Sequence, residues 1–160
     1  MLQKETNYAF RKRMMQVHKK DIRDTSLVAE ASECEIRDGA VIYVSEHAGE
    51  VILTAARDFV DFLFVSMGIS AMLKKGEPIK PENTVSIALA EDEGVELGEY
   101  SGYRGYRIDT TERVQIYAND ERGAAQALYY LEFLMDLRKA PFITKGTISR
   151  KPCFSPMMVH

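Results

Sequence analysis

The sequence predicts an α+β fold, a two-layer structure in which a mixed β-sheet carries two helices packed on one face. Short runs in which apolar and polar residues alternate have the period of half-buried strands. Two longer segments instead place apolar residues three and four positions apart, the spacing of an amphipathic helix. In chain order these segments read ββ-α-β-β-ββ-α-β, and such an arrangement favours a sheet with both helices on the same side.

The clearest signal lies between residues 106 and 137. The runs Tyr106–Thr111 and Arg113–Ala118 both alternate, which predicts a β-hairpin. Asn119 and Asp120 then offer helix caps, and Glu121 stands in the first turn, where the helix dipole favours a carboxylate. The apolar stripe of this helix comprises Ala124, Ala127, Leu128, Leu131, Leu134 and Met135. Three polar residues, Gln126, Glu132 and Asp136, are expected to face solvent.

The first half of the chain predicts a second hairpin and a buried helix. Asp38-Gly39 separates the runs Cys34–Ile36 and Ala40–Val44, and Asp-Gly is a strong hairpin signal. Ser45 is a possible cap for the helix that follows, and Gly68 is well placed to end it in a left-handed conformation. Residues 69–73 then form a short strand, unless the helix kinks at Gly68 and continues to Lys75.

Two further strands complete the predicted sheet. Thr84–Leu89 alternates as a strand, after a connector at residues 76–81 in which two prolines cannot donate to a ladder. The acidic stretch 91–96 lacks the ligand spacing of a calcium-binding loop and predicts a solvated loop. Residues 142–149 predict one last strand.

Length and charge define the class of protein. A chain of 160 residues, 46% of them hydrophobic, has the size and composition of one ordinary domain. We place that domain at residues 34–150. A charged arm at residues 1–33 precedes it. Its basic residues could contact phosphate or nucleic acid, but the favoured interpretation is a solvated arm lying on the domain with Phe10, Met14, Met15 and Val17 beneath it. Residues 151–160 begin a linker or the first strand of a barrel. The net charge of −3 disfavours nucleic acid as a partner, and no run is long enough to span a membrane. The lack of a signal-like apolar region predicts a cytoplasmic protein.

Recognisable catalytic chemistry is absent from the sequence. Cys34 and Cys153 have no partner at metal-ligand spacing and are read as free thiols, and the three histidines form no helical pair for zinc. No phosphate loop, dinucleotide-binding turn or nucleophile elbow occurs. The sequence therefore predicts no catalytic residue, no metal and no cofactor.

Two groups of residues nevertheless have a possible functional role. Tyr100, Tyr103, Arg104 and Tyr106 cluster before the clearest hairpin, where they could stack on sugar rings or anchor a partner protein. Cross-strand packing explains them equally well. Asp58 and Asp61 lie on the apolar first helix, where burial could raise the pKa of a general acid, or where they mark that helix's narrow exposed strip.

Several short motifs in the second half resemble a known family. The run Val114–Ala118, followed by Arg122-Gly123-Ala124 and by the apolar positions up to Leu131, looks like the α+β domain that precedes the catalytic barrel of family-20 glycoside hydrolases, the β-N-acetylhexosaminidases. Those enzymes continue with an Ile-x-Asp-x-Pro-x-Phe segment into the barrel, and this chain has Ile148 through Phe154. Arg150 stands where the family usually has Asp. Met157-Met158 stands where it carries an Arg-Gly pair.

The resemblance implies a noncatalytic accessory domain whose partner is the catalytic barrel of a longer parent chain, with carbohydrate as a possible ligand. A similar domain precedes the barrel of α-glucuronidases, whose entry strand carries a His after a short apolar run, somewhat like Met157 to His160. The family's catalytic Asp-Glu pair lies in the barrel, so no catalytic residue carries over to this chain. An independent sugar- or protein-binding module is the alternative.

Overall fold

The computed structural model describes residue 11, residues 14–78 and residues 80–153. This part of the chain forms eight strands, two α-helices and one short 3₁₀ turn at Gly98–Tyr100. The strands are β1 (Glu33–Glu35), β2 (Ala40–Val44), β3 (Ala71–Lys75), β4 (Thr84–Leu89), β5 (Tyr106–Asp109), β6 (Val114–Ala118), β7 (Phe142–Thr144) and β8 (Thr147–Arg150). The helices are α1 (Glu50–Met67) and α2 (Glu121–Arg138).

Six strands form one mixed sheet in the order β3-β2-β4-β6-β5-β8. The first four are mutually parallel, β5 runs antiparallel to β6, and β8 at the other edge runs antiparallel to β5. Both helices pack on the apolar face of this sheet and against each other. The predicted α+β class, with a mixed sheet and two helices on one face, is therefore confirmed.

The core lies between the sheet and the helix pair. Ile42, Ile87, Ile108 and Ile116 point from the central strands towards the helices and are at most 1% exposed. The same layer contains large buried side chains from both helices, namely Ile52, Phe59, Leu63, Met67, Leu128, Leu131 and Met135. Apolar burial of this kind is the main favourable term in folding.

Helix α1 ends at the predicted residue, but it does not begin at the predicted cap. Gly68 adopts the left-handed conformation with φ 65°, and the next amide, of Ile69, donates to the Leu63 carbonyl at 2.9 Å. The N-cap is Gly49 and not Ser45, whose hydroxyl instead accepts from the His47 amide in the preceding turn. Strand β3 follows at Ala71, so the alternative of a helix continuing to Lys75 is wrong.

Two predictions about the strands are wrong, one of a hairpin and one of a single strand. The runs on either side of Asp38-Gly39 do not pair with each other, because β1 pairs with β7 in a separate two-stranded sheet. The Asp38 carboxylate instead accepts from the Ser70 amide at 2.7 Å, which ties the turn to the start of β3. The single strand predicted at residues 142–149 is two strands in different sheets, separated at Gly146 with φ 141°.

The hairpin and helix in the second half agree with the prediction. Strands β5 and β6 pair antiparallel with Ile108 opposite Ile116. Asp120 caps α2, since its Oδ1 accepts from the Gly123 amide at 2.8 Å. The other carboxylate oxygen of Asp120 accepts from the Arg104 amide at 2.6 Å, so the same side chain fixes the loop before β5.

Candidate interaction surface

The two helices run side by side in the same direction. Strands β2 and β6 are both parallel to β4, α1 follows β2, and α2 follows β6, so each helix returns antiparallel to the strand before it. Their N-termini meet where the Glu121 carboxylate of α2 lies against Gly49, the N-cap of α1. A negative group at this position stabilises the positive end of the helix dipole.

The outer side of this helix pair exposes large apolar side chains. We call this surface the helix-pair face, and it comprises Val51 on α1 and Tyr129, Phe133 and Leu137 on α2, which are 42–65% exposed. A groove of about 420 Å³ runs between the N-terminal halves of the helices, lined by Val51, Thr54 and Tyr129 among others. Contiguous exposed apolar surface of this kind is typical of an interaction site.

The N-terminal segment covers the C-terminal half of the same helix pair. The Ser66 hydroxyl donates to the Lys19 carbonyl at 2.7 Å, and the Asp24 amide donates to the Lys139 carbonyl at 2.8 Å. The segment packs through His18 and Ile22. The prediction for the arm was wrong for Met14, Met15 and Val17, which are 72–76% exposed, and Phe10 lies outside the described residues.

The two predicted candidate aspartates both lie beside His18. Its Nε2 is 3.0 Å from Asp58 Oδ1 and 3.8 Å from Asp61 Oδ2, and the imidazole packs edge-on against the Phe62 ring. Asp58 is partly buried whereas Asp61 is largely exposed. Their pairing with a histidine of the N-terminal segment fixes that segment on α1.

The carboxyl group with the raised pKa is Glu132 on α2. Burial and the nearby charge of Asp58 raise its pKa to about 8. Its Oε1 is buried and receives no hydrogen bond from the described residues. The prediction that Gln126, Glu132 and Asp136 face solvent holds only in part, because all three are half-buried. Tyr129, Phe133 and the N-terminal segment lie around Glu132.

The tyrosine and arginine cluster is divided between surface and core. Tyr103 is 45% exposed, and the Arg104 guanidinium lies 4.7 Å from the centre of its ring. Tyr100 is half-buried in the 3₁₀ turn. Tyr106 is 5% exposed on the helix side of the sheet, where burial raises its pKa. Tyr103 is thus the exposed member of this cluster, Arg104 is half-buried beside it, and a binding role for the cluster stays a prediction.

Sequence reasoning missed the helix-pair face, although a signal for it is present. Tyr129, Phe133 and Leu137 follow one another at four-residue steps, so α2 carries a second apolar stripe beside the one that packs on the sheet. The contact between His18 and Asp58 joins positions 40 residues apart, and no local pattern reveals it.

The described residues show no assembled metal site and no membrane span. No group of three or more His, Cys, Asp or Glu side chains among them could hold a metal ion. Neither described helix is long and apolar enough to cross a bilayer.

Comparison with solved structures finds two glycoside hydrolases that contain a region of similar fold. A mutant β-hexosaminidase of Streptomyces plicatus, solved with its product GlcNAc, matches with TM-score 0.60 and 19% identity over 79% of this chain. A family-115 4-O-methyl-α-glucuronidase with specificity for decorated arabinogalactans matches with TM-score 0.56 and 12% identity over 75%.

The match is at the level of a domain. The aligned region is 24% of the hexosaminidase chain and 18% of the glucuronidase chain. No protein-family model and no curated protein matches the sequence. At these identities the likeness shows the fold alone.

Proposed function

We propose that this chain is a noncatalytic accessory domain from the N-terminal side of a glycoside hydrolase, of the hexosaminidase type, which packs against a catalytic barrel. The observation that carries the proposal is the domain-level match, in which most of this chain aligns with less than a quarter of two glycoside hydrolases. The motifs around Gly123 and from Ile148 to Phe154 support the hexosaminidase type. In the motif from Ile148 to Phe154, Cys153 is the last described residue and Phe154 lies outside the described part.

The helix-pair face is the surface that we assign to the barrel. Its aromatic and aliphatic side chains are the kind that dominate the energy of domain interfaces. The polar rim beside it includes Glu50 and Thr54, which line the groove and are exposed, as the rim of an interface usually is. This assignment makes the domain a support for the catalytic part and leaves bond cleavage to the barrel.

An assay of hydrolysis tests the proposal. The purified 160-residue chain is expected to fold and to leave aryl N-acetylglucosaminides and aryl glucuronides intact, whereas the product of the complete reading frame cleaves one of them. Turnover by the 160-residue chain, abolished by a point substitution within it, contradicts the proposal. The substrate that the complete product cleaves also distinguishes the hexosaminidase type from the α-glucuronidase type.

A second function, an independent sugar- or protein-binding module, is favoured by the pair Tyr103 and Arg104. An exposed tyrosine with a guanidinium on its ring offers a flat amphipathic surface of the kind that recognises sugar rings. Titration with oligosaccharides tests this, with Tyr103→Ala as the variant that should lose binding. A response that the variant leaves unchanged excludes this residue as the contact.

A further inference from the structure

We infer that a neutral sugar ring binds on the open face of the six-stranded sheet, in a cavity beside the carboxyl ends of β2, β3 and β4. The open face is the side of the sheet that the helices do not cover. The cavity has a volume of about 600 Å³, within the range of about 300–1,000 Å³ that is typical of ligand sites. The inference does not depend on the proposed function, which concerns the other side of the fold.

Small side chains on β4 form the floor of this cavity, between two tyrosines. Ile87 points towards the helices, and because side chains alternate along a strand, Ser86 and Ala88 point to the open face. Tyr43 on β2 lies beside Ser86, and Tyr117 on β6 lies beside Ala88. The cavity is therefore a depression in the sheet surface, with large side chains on two strands and small ones on the strand between them.

The topology of the sheet also favours a ligand at this position. Ser45 and Glu46 directly follow β2, Gly76 directly follows β3, and all three line the cavity. From β2 the chain passes through α1 to β3 on one side, whereas from β4 it passes to β5 and β6 on the other side. Ligands of open parallel sheets commonly bind where connections diverge in this way, outside the carboxyl ends of the strands.

The Tyr43 hydroxyl is a polar group without a partner in the described part of the chain. Tyr43 is only 8% exposed and lines the cavity. Its hydroxyl makes no hydrogen bond to a described residue, whereas the Tyr117 hydroxyl accepts from the Gln115 side-chain amide at 3.0 Å. Polar groups on buried side chains are nearly always hydrogen-bonded, so we expect a molecule in the cavity to supply the partner.

Both signs of charge surround the cavity, with carboxylates in excess. Its lining includes three carboxylates and one guanidinium, those of Glu46, Glu77, Glu93 and Arg113. None of these four groups is in a salt bridge with another described residue. Three more charged residues are cross-strand neighbours of lining residues, namely Lys74, Arg107 and Asp109. The adjoining rim adds Lys75, Glu91, Asp92 and Glu112. The excess of carboxylates disfavours an anionic ligand.

A cationic ligand is disfavoured at the tyrosine rings, where aromatic side chains would otherwise attract it. The Arg107 guanidinium already lies 5.6 Å from the centre of the Tyr117 ring, and Lys74 is the cross-strand neighbour of Tyr43. Arg113 adds a positive charge within the cavity itself.

A neutral ligand with both hydrogen-bond donors and acceptors satisfies these constraints, and a sugar ring has this chemistry. Its hydroxyls can donate to the glutamates and accept from Arg113 and from the Gln115 amide. Its C–H groups can pack against Tyr117, since an aromatic side chain offers a broad apolar surface.

NMR titration of the 160-residue chain with methyl glycosides tests the inference. The neutral probes are the methyl glycosides of glucose, galactose, mannose, xylose and N-acetylglucosamine, and the charged probes are methyl glucuronoside and methyl glucosaminide. At least one neutral glycoside should shift the amide resonances of Ser86 and Ala88 at millimolar concentration. It should bind more tightly than either charged glycoside.

Two pairs of variants locate the sugar. Ala88→Leu fills the floor of the cavity and should abolish binding, whereas Ser149→Leu, on the same face but outside the cavity, should leave it unchanged. Tyr43→Phe removes only the hydroxyl and should weaken binding by roughly three- to tenfold, the usual effect of one lost hydrogen bond. Tyr103→Phe is its control and should bind as the wild type does.

Several results would overturn the inference. These are no shift at Ser86 and Ala88 with any neutral glycoside, tighter binding of a charged glycoside, or unchanged binding by a folded Ala88→Leu variant. Shifts confined to Tyr103 and Arg104 would place sugar binding at that surface cluster and not in this cavity.

Discussion

Gly123 determines how closely the loop before β5 approaches the start of α2. A Cβ at this position would lie 2.9 Å from the Gly105 carbonyl oxygen and 3.1 Å from the Arg104 carbonyl carbon. Both neighbours are backbone atoms, and Asp120 holds the Arg104 amide in place. The loop that carries Tyr103 and Arg104 can therefore keep this position only because residue 123 is a glycine and has no Cβ.

The substitution Gly123→Ala is expected to destabilise the protein by about 1–3 kcal/mol, the usual cost of overpacking. Helix propensity alone predicts the opposite, because alanine is favoured over glycine by about 1 kcal/mol inside a helix. Urea unfolding decides between the two effects. Gln126→Ala, on the half-exposed side of the same helix, is the control and should change stability by less than about 0.5 kcal/mol. A more stable Gly123→Ala variant would contradict the close approach.

Glu132 makes stability depend on pH in the direction opposite to that of most carboxylates. Its pKa is about 8 in the folded protein and near 4.5 in the unfolded chain, so folding takes up a proton between these values. Its contribution to stability is complete below the unfolded pKa and is lost as the pH rises through about 8. Burial between the helices is the first cause, and the charge of Asp58 is the second.

The variant Glu132→Gln should remove this dependence. In the wild-type protein, the urea concentration at the unfolding midpoint should be lower at about pH 8 than at about pH 5. This difference should be smaller in the variant, because glutamine does not titrate. Asp136→Asn, one turn further along α2, is the matched control and should keep the wild-type slope. Identical slopes for Glu132→Gln and wild type would show that the carboxylate ionises normally.

The second half of the fold could be predicted from sequence because its signals are local. The hairpin β5-β6, the cap at Asp120 and the stripe of α2 each depend on residues a few positions apart. The strand connections that were predicted wrongly depend instead on residues far apart in the sequence. β1 pairs with β7 more than 100 residues away, and the Asp38 carboxylate of the predicted Asp-Gly turn accepts from Ser70, which immediately precedes β3.

The candidate surface was less predictable than the fold. Tyr129, Phe133 and Leu137 follow a helical period, but their exposure depends on which stripe of α2 packs on the sheet. Whether Glu132 is enclosed depends on where the N-terminal segment crosses the helices, and no residue spacing encodes that path. Tyr106 shows the converse, since a residue that seemed suited to ligand contact is part of the core.

Asp120 provides the prediction at the scale of the element. It accepts from the Gly123 amide and from the Arg104 amide, so Asp120→Ala should cost about 1–2 kcal/mol through the lost cap and more through the released loop. Asp120→Asn keeps one acceptor and should cost less. Asn119→Ala, one residue before the cap, is the control. Thermal unfolding measures all three, and an alanine variant no weaker than the control would exclude the capping role.

At the scale of the whole molecule, the helix pair covers the core on its inner side and exposes an apolar surface on its outer side. The helix-pair face is broad and apolar, and we assign it to a catalytic barrel.

Hydroxyl-radical labelling tests the central claim most directly. Tyr129 and Phe133 are about half exposed in this chain and should be oxidised when the 160 residues are studied alone. In the product of the complete reading frame both should be protected by the barrel, whereas Met72, exposed on the opposite face of the sheet, should be oxidised equally in both samples. Equal oxidation of Tyr129 and Phe133 in the two samples would contradict the assignment of the helix-pair face to a catalytic partner.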